Sequence, residues 1–311
     1  MRASTTSWRP AAPPDWDDAL FAVDGHFLQS SHWFAFQTAL DRPTFFGRGD
    51  GWSCAAYLEA GGARLYAPYG PTVTGPGGLG GALAALVELA GEVGAERVRV
   101  EPFGAESDPA AELTGRGFQR NPKDYQPSLT WVRNLRCTRE ELLRGMYKAN
   151  RQRYRTAANR GLSFHTSTDP ADVDVFVEMV HVVAERTGIT PHRDDYYRTM
   201  ARAMMPRGAM TLYLAEHEQQ PVAGVLVFDS PTVRYTVHSG SFPVARKLHA
   251  ASPLRTQIML DAHAAGQRWL DFWGVAPPDQ PEHRWAGFTR FKQSFGGDYL
   301  RYAGTWELAR A

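Results

Sequence analysis

Cysteine is nearly missing from this chain: Cys54 and Cys137 are the only two among 311 residues. Two isolated thiols exclude a disulfide framework and a cysteine-built zinc site, and they suit a reducing compartment. Long apolar runs are missing too. No stretch reaches the roughly 18 uncharged apolar residues of a membrane-crossing helix, and even Leu79 to Leu89 is interrupted by Glu88. The segment Met1 to Trp16 lacks the apolar centre of a signal peptide. A cytoplasmic protein without a membrane span is expected. Net charge is close to zero, with 34 Lys and Arg against 33 Asp and Glu, which argues against coating nucleic acid or an anionic membrane with the whole surface. Any basic site must be local. The 10 histidines show no metal-ligand spacing such as H-E-x-x-H, and there is no G-x-S-x-G elbow. Neither a metal nor a cofactor is expected, nor a hydrolytic nucleophile.

What is present reads as an ordinary globular protein, 43% hydrophobic and 22% charged, long enough for about two domains. Residues 1 to 15, rich in Pro, Ser, Thr and Ala, read as a loose tail. Ser31 to Leu40 reads as a helix anchored by Trp33, Phe34 and Phe36. Arg64 to Tyr69 and Arg97 to Val100 read as strands, with a helix from about Leu79 to Val93 between them. Thr138-Arg-Glu-Glu141 has the form of a capping box and Gly161 that of a helix end, so one long helix is predicted over Arg139 to Arg160. Met210 to Ala215, Val222 to Phe228 and Val233 to His238 are apolar runs parted by polar clusters, an antiparallel meander. A helix from about Ala245 to Gly266 and a strand at Trp269 to Phe272 follow. Both halves share one order of elements, which suggests a duplicated α/β unit.

Four groups of residues carry candidate chemistry. In Trp285-Ala-Gly-Phe-Thr-Arg-Phe-Lys-Gln-Ser-Phe-Gly-Gly297 the aromatics Trp285, Phe288, Phe291 and Phe295 are spaced to share one helical face. Lys292 then leaves the helix beside an apolar surface, either to hold a cation where a negative charge develops or to snorkel to solvent. Arg144, Lys148, Arg151 and Arg155 are spaced to form one cationic stripe. Residues 133–160 hold nine Lys or Arg against two acids, either a phosphate-contacting surface for RNA or a solvated face. Arg193 and Tyr197 stand one helical turn apart, a fork and a hydroxyl for one anion, or a surface arginine beside a packing tyrosine. Gly75-Pro-Gly77-Gly-Leu-Gly80 formally matches a dinucleotide loop, but Pro71 and Pro76 crowd it and a glycine-rich turn gives the same letters.

Taken in order, Gln29-Ser-Ser-His-Trp33, Tyr69-Gly-Pro71, Val98-Arg-Val-Glu-Pro102, Gln126-Pro127 with Thr130, the Met146 to Gly161 segment, Arg193 with Tyr197, Tyr235 ahead of Gly240-Ser241, and Trp285 to Gly297 resemble the FemXAB family of aminoacyl-tRNA-dependent aminoacyltransferases. The resemblance runs from about residue 20 to the end. It implies an α/β (α+β) fold of two GNAT-like domains, with mixed, mostly antiparallel sheets flanked by helices. The last strand would return to the first domain, giving domains of 1–134 with 296–311 and of 135–295. It also implies transfer of an amino acid from aminoacyl-tRNA to an amine of a peptidoglycan precursor, UDP-MurNAc-pentapeptide or lipid II. Lys292 beside Phe291 would stabilise the oxyanion, Arg193, Tyr197 and Tyr235 would hold the acceptor with Trp33 and Gln37 as further substrate contacts, and the stripe Arg144, Lys148, Arg151 and Arg155 would meet tRNA. DNA is not an expected partner, and membrane contact is expected only as peripheral, through a lipid-linked acceptor. Two departures stand out. Gln37 occupies the place, four residues after Trp33, where relatives commonly carry a lysine, which weakens acceptor-phosphate contact and favours the variant in which the acceptor is a small peptide-like natural product of antibiotic biosynthesis. The coiled-coil arm inserted in some relatives is absent, since Arg198 to Ala215 passes straight into the meander. An acyl-CoA-dependent N-acyltransferase is the other class kept open, although Ser239 to Ala250 lacks the glycines of a pyrophosphate loop.

Overall fold

A computed structural model describes residues 7–104 and 109–310. Residues 1–6 of the expected tail lie outside the described residues. The remainder of that tail is not loose. The Trp8 ring lies 6.0 Å from that of Trp52, Arg9 and Phe46 exchange backbone hydrogen bonds, and Asp15 pairs with Arg48 at 2.7 Å. Trp8 and Trp16 supply the apolar area that a polar tail would lack.

The chain divides into two compact units, one running to Ser128 and taking up the chain again from Arg301, the other spanning Leu129–Leu300. In the first, helices α1 (Trp16–Ala22) and α2 (Ser31–Ala39) precede strands β1 (Thr44–Gly49), β2 (Trp52–Leu58), β3 (Arg64–Ala67) and β4 (Thr72–Val73). Helix α3 (Gly78–Glu92), strand β5 (Arg97–Val100), helix α4 (Ala110–Gly115) and strand β6 (Gln119–Arg120) follow. The C-terminal strand Trp306–Ala309 returns to pair with β5 and β6, completing a seven-stranded sheet. Strands β3 and β5 pair in parallel, across the α3 connection. Gly77 takes φ 73° ahead of α3, and a side chain on Gly78 would collide with the Gly51 carbonyl in the β1–β2 turn. The glycine-rich letters therefore serve close packing of a helix start rather than a phosphate cradle.

The second unit holds β7 (Leu129–Asn134), α5 (Arg139–Arg144), α6 (Lys148–Arg155), β8 (Leu162–Ser167), α7 (Val173–Thr187), α8 (Asp194–Met204), β9 (Met210–His217), β10 (Gln220–Asp229) and β11 (Val233–Ser241). It continues with α9 (Val244–Lys247), α10 (Ala251–Ala264), β12 (Trp269–Gly274), α11 (Ala286–Gln293) and β13 (Asp298–Arg301). The strands form a second seven-stranded sheet in the order β13-β7-β12-β11-β10-β9-β8. Because β7 pairs with β12, residues 129–134 fall within this unit, although the sequence assigned them to the first. Helix α8 runs through a short 3-10 turn into β9 without an inserted arm. Among the described residues no helix is long and apolar enough to cross a membrane.

Two irregularities shape the centre of this sheet. Strands β11 and β12 pair in parallel over only three residues, Val233–Tyr235 against Trp269–Asp271, and then part. In β11, His238 faces Leu226 and Thr236 faces Val227, so Val237 is an extra, unpaired residue. Such a bulge restores Tyr235 and His238 to one face of the sheet and turns Ser239 to the other. A side chain at Gly240 would press on Met179 Cβ at 2.6 Å, so the Tyr235 and His238 face is the one α7 covers. Ser239 meets α10.

The long helix expected over 139–160 is two helices and a 3-10 turn (Ala158–Arg160). The capping box at Thr138 and Glu141 and the left-handed Gly161 are as expected. The chain nevertheless breaks at residues 145–147, where Tyr147 N donates to Ser294 O at 2.9 Å. Buried Asn150 then donates to Ser294 O and Oγ at 3.2 and 2.6 Å and accepts from Ser252 Oγ at 2.8 Å. This one amide ties α6 to α10 and to the end of α11. Replacing Asn150 by leucine leaves several of these buried groups without partners, at about 1–3 kcal/mol each, and the expected loss in melting temperature, measured by calorimetry, is about 4–10 °C.

Candidate active site

Helix α11 starts at Trp285 and is pinned by Thr289, whose hydroxyl donates to Trp285 O at 2.9 Å and accepts from Ala276 N at 2.8 Å. The expected single aromatic face holds only for its C-terminal half. Phe295 is fully buried and stacks on Phe272 at 5.4 Å, and Phe291 meets Phe295 edge-on at 5.1 Å. Phe288 is 39% exposed, because the helix is only eight residues long and its first turn overhangs the core. Lys292 is partly exposed, and its ammonium donates to Gly274 O at 2.6 Å, at the end of β12 where β11 and β12 have parted. Burial, and then repulsion from Arg255, push its pKa down to about 7, with Asp271 opposing. Asp271, 1% exposed, accepts from Thr130 Oγ1 at 3.1 Å and from Trp273 N at 2.6 Å. Trp273 sits at φ 69°, a left-handed conformation that costs a non-glycine residue about 1–3 kcal/mol and gathers at functional sites. The ammonium, the strained turn and the buried carboxylate thus form one unit.

On the α7 face, Tyr235 lies 6.5 Å from the Trp273 ring and is buried. His238 packs 5.3 Å from Tyr197 and 5.8 Å from His192. Burial first, and then His192, push the His238 imidazole down to about 3, so it is neutral at physiological pH. Tyr197 is 3% exposed, and burial raises its pKa while a hydrogen bond with the His192 backbone opposes the shift. Arg193 is exposed and sits in extended conformation just before α8, so the pair is not the one-face helical couple the spacing predicts. Tyr235, His238 and Tyr197 make an aromatic wall, with the free arginine at its edge.

The opposite side of the unit is basic. A cavity of about 740 Å³ is lined by Arg139, Arg144, Arg151 and Arg155 against one acid, Glu140, with Tyr154, Gln257 and apolar residues completing it. Arg144, Lys148 and Arg155 are exposed. Arg151 departs from the expected free stripe, because the helix break redirects it onto the carbonyls of Arg144, at 3.0 Å, and Met146. It caps the end of α5. A second cavity of about 350 Å³ is lined by Arg153, Ser241, Ala245, Arg246, His249, Ala251, Ser252 and Phe291. Phe291 therefore edges a basic hollow next to Lys292.

The two remaining candidates lie in the first unit. Trp33 is buried and packs edge-on against Phe27 and Phe36. Gln37 is 1% exposed and its carbonyl accepts from Arg42 Nη1 at 2.6 Å, so that oxygen is engaged internally. Among the described residues no cluster of three His, Cys, Asp or Glu side chains could hold a metal ion. Sequence reading missed Asp271, His238, Arg153, Arg246 and Arg255. The visible signals were an acid inside the apolar strand Trp-Leu-Asp-Phe-Trp and an arginine inside the apolar run of α10.

Residues 143–292, within the second unit, match the acetyltransferase (GNAT) domain family. The crystal structure of FemX, 16% identical, superposes with a TM-score of 0.81 over 98% of this chain and 97% of its own. L-PGS from Bacillus licheniformis, 15% identical, gives 0.60 over 96% and 92%. A lipid II:glycine glycyltransferase of Staphylococcus saprophyticus subsp. saprophyticus is 25% identical over 150 residues, which are 45% of this chain and 36% of that protein. The matched region thus spans little more than a third of that curated relative. The chain has the two-unit, GNAT-like fold of the FemXAB family.

Proposed function

We propose that the chain is an aminoacyltransferase that moves an amino acid from aminoacyl-tRNA to an amine of a peptidoglycan precursor, UDP-MurNAc-pentapeptide or lipid II, and forms an amide. The observation that carries the reading is the Lys292 ammonium on Gly274 O, at the point where β11 and β12 separate. In the reaction the acceptor nitrogen attacks the ester carbonyl carbon, and the carbonyl oxygen becomes an oxyanion. The carbon–oxygen bond to the ribose then breaks, and the proton lost by the attacking nitrogen ends on the ribose hydroxyl. The ester is already activated and an α-amine has a reference pKa near 8, so alignment and one cation for the oxyanion suffice. Lys292 supplies that cation, and Phe291 beside it borders the second cavity, which is of ligand size. Tyr235, Tyr197 and Arg193 would hold the acceptor, with Arg193 free to meet an anionic group. Arg144, Lys148 and Arg155 would meet tRNA phosphates, and Arg151 would support them from behind. The charged donor exists in the cytoplasm, and the proposal carries that location with it. Peripheral membrane contact follows only for a lipid-linked acceptor.

One observation favours a second acceptor class. Gln37 carries no charge of its own and its carbonyl is bonded to Arg42, so the lysine that relatives commonly place here is replaced by an uncharged side chain, which suits a small peptide-like natural product as well as a muropeptide. Incubation with a charged-tRNA pool and each acceptor, followed by mass spectrometry, should show a one-residue mass increment that ribonuclease abolishes. Transfer from acetyl-CoA instead, with no increment from tRNA, would refute the reading.

A further inference from the structure

Arg255 is a buried cation that the fold leaves half-used. It is 6% exposed on α10, its Nη2 donates to Ser239 Oγ at 2.5 Å, and its Nη1 is buried without a partner. Burial alone pushes its pKa down, to about 9, and no nearby carboxylate counters the shift. It is still charged at neutral pH and close enough to repel Lys292. Two cations thus share this interior with one carboxylate, Asp271, that acts on Lys292. Buried charges persist when they are paired, so the arrangement lacks an anion.

The second cavity is lined by residues of α6, β11, α9 and the turn after it, α10 and α11, and three of these lie close in the chain to Ser239, Arg255 or Lys292. Ser241 lies two residues from Ser239 on the same strand face, Ser252 lies about one turn from Arg255 on the same helix, and Phe291 is next to Lys292. The sheet itself separates the two sides. Tyr235 and His238 face α7, whereas Ser239 and Arg255 lie on the α10 side.

We propose that Arg255, oriented by Ser239, is the anchor for a phosphate of the donor nucleotide on the α10 side of the sheet, while the acceptor approaches from the α7 side. The inference rests on the transferase reading above and adds to it the residue that positions the donor. A guanidinium fork suits a phosphate oxygen pair. Its neutralisation by the phosphate would lift the repulsion on Lys292, so donor binding would itself charge the oxyanion-stabilising ammonium.

The test uses the full chain and calorimetric titration of a hydrolysis-resistant 3′-aminoacylamido-adenosine with and without a 5′-phosphate, and of acetyl-CoA. In the wild type the 5′-phosphate should improve affinity about 10- to 100-fold. Arg255→Gln should abolish that gain and leave the phosphate-free analogue within about twofold, Arg255→Lys should keep part of it, and Ser239→Ala should weaken it. Thermal unfolding checks that each variant folds, and because Arg255 lacks a counter-ion, Arg255→Gln should not lower the melting temperature. An Arg255-dependent gain for acetyl-CoA alone would keep the phosphate anchor and sink the tRNA reading. Equal weakening of both adenosine analogues by Arg255→Gln, or no Arg255-dependent gain with any phosphate-bearing ligand, would overturn the inference.

Discussion

Replacement of Lys292 by alanine should lower kcat about 100- to 1000-fold, the usual effect of removing one donor from an oxyanion site, with tRNA affinity changed only a few-fold. The split between kcat and binding follows from geometry. The ammonium touches Gly274 O inside the second unit, whereas the exposed cations Arg144, Lys148 and Arg155 lie along α5 and α6. An interaction gained only in the transition state shows in kcat and not in ground-state binding. The same residue should carry a stability signature of defined sign. Its folded pKa of about 7 lies below the ordinary 10.5, so between these values the unfolded chain binds more protons and stability rises with pH. Below about pH 7 both states are protonated and the full cost of the partly desolvated cation is present. Lys292→Met should therefore raise the melting temperature by several degrees at pH 6 and by much less at pH 10, as measured by calorimetry.

Charge reversal of Arg144 and Arg155 together should weaken tRNA binding roughly 10- to 100-fold at low salt and flatten the slope of log K against log salt by about two. Both line the larger cavity, and both are exposed. Lys292 lies elsewhere in the unit, so kcat at saturating tRNA should change little. Arg151 supplies the contrast. It holds carbonyls at the end of α5, so Arg151→Ala should lower the melting temperature and leave the salt slope almost unchanged. A filter-binding titration across salt concentrations, paired with thermal unfolding, separates the two roles. If Arg151→Ala flattened the slope as strongly as the double reversal, the expected free stripe would be restored.

Much of the architecture was legible in local patterns. The three strands of the meander are bounded by polar turns, the capping box fixed the start of α5, and the segment from Arg198 to Met210 left no room for an arm. The break between α5 and α6 was not legible, because Ser294 makes it from a distant part of the sequence. The same break turned Arg151 inward and opened the stripe. The place of Lys292 beside Phe291 and Phe295 was legible from the spacing, but the groups around it were not. Asp271, the strained Trp273 and Arg255 become partners of the site only once β11 and β12 part around them. Trp33 and Gln37, placed among the substrate contacts by the family resemblance, are both buried, Trp33 against Phe27 and Phe36 and Gln37 against Arg42.

The central claim is that a protonated Lys292 meets the oxyanion, and the pH dependence of kcat/KM for wild type and Lys292→Arg tests it most directly. Neutralisation of the acceptor amine makes the rate rise toward its pKa near 8. In the wild type, loss of the Lys292 proton near pH 7 should impose a falling alkaline limb, giving a bell. Lys292→Arg, which stays charged, should be slower but should lose that limb and reach a plateau at high pH. The same falling limb in both enzymes, or none in the wild type, would contradict the account.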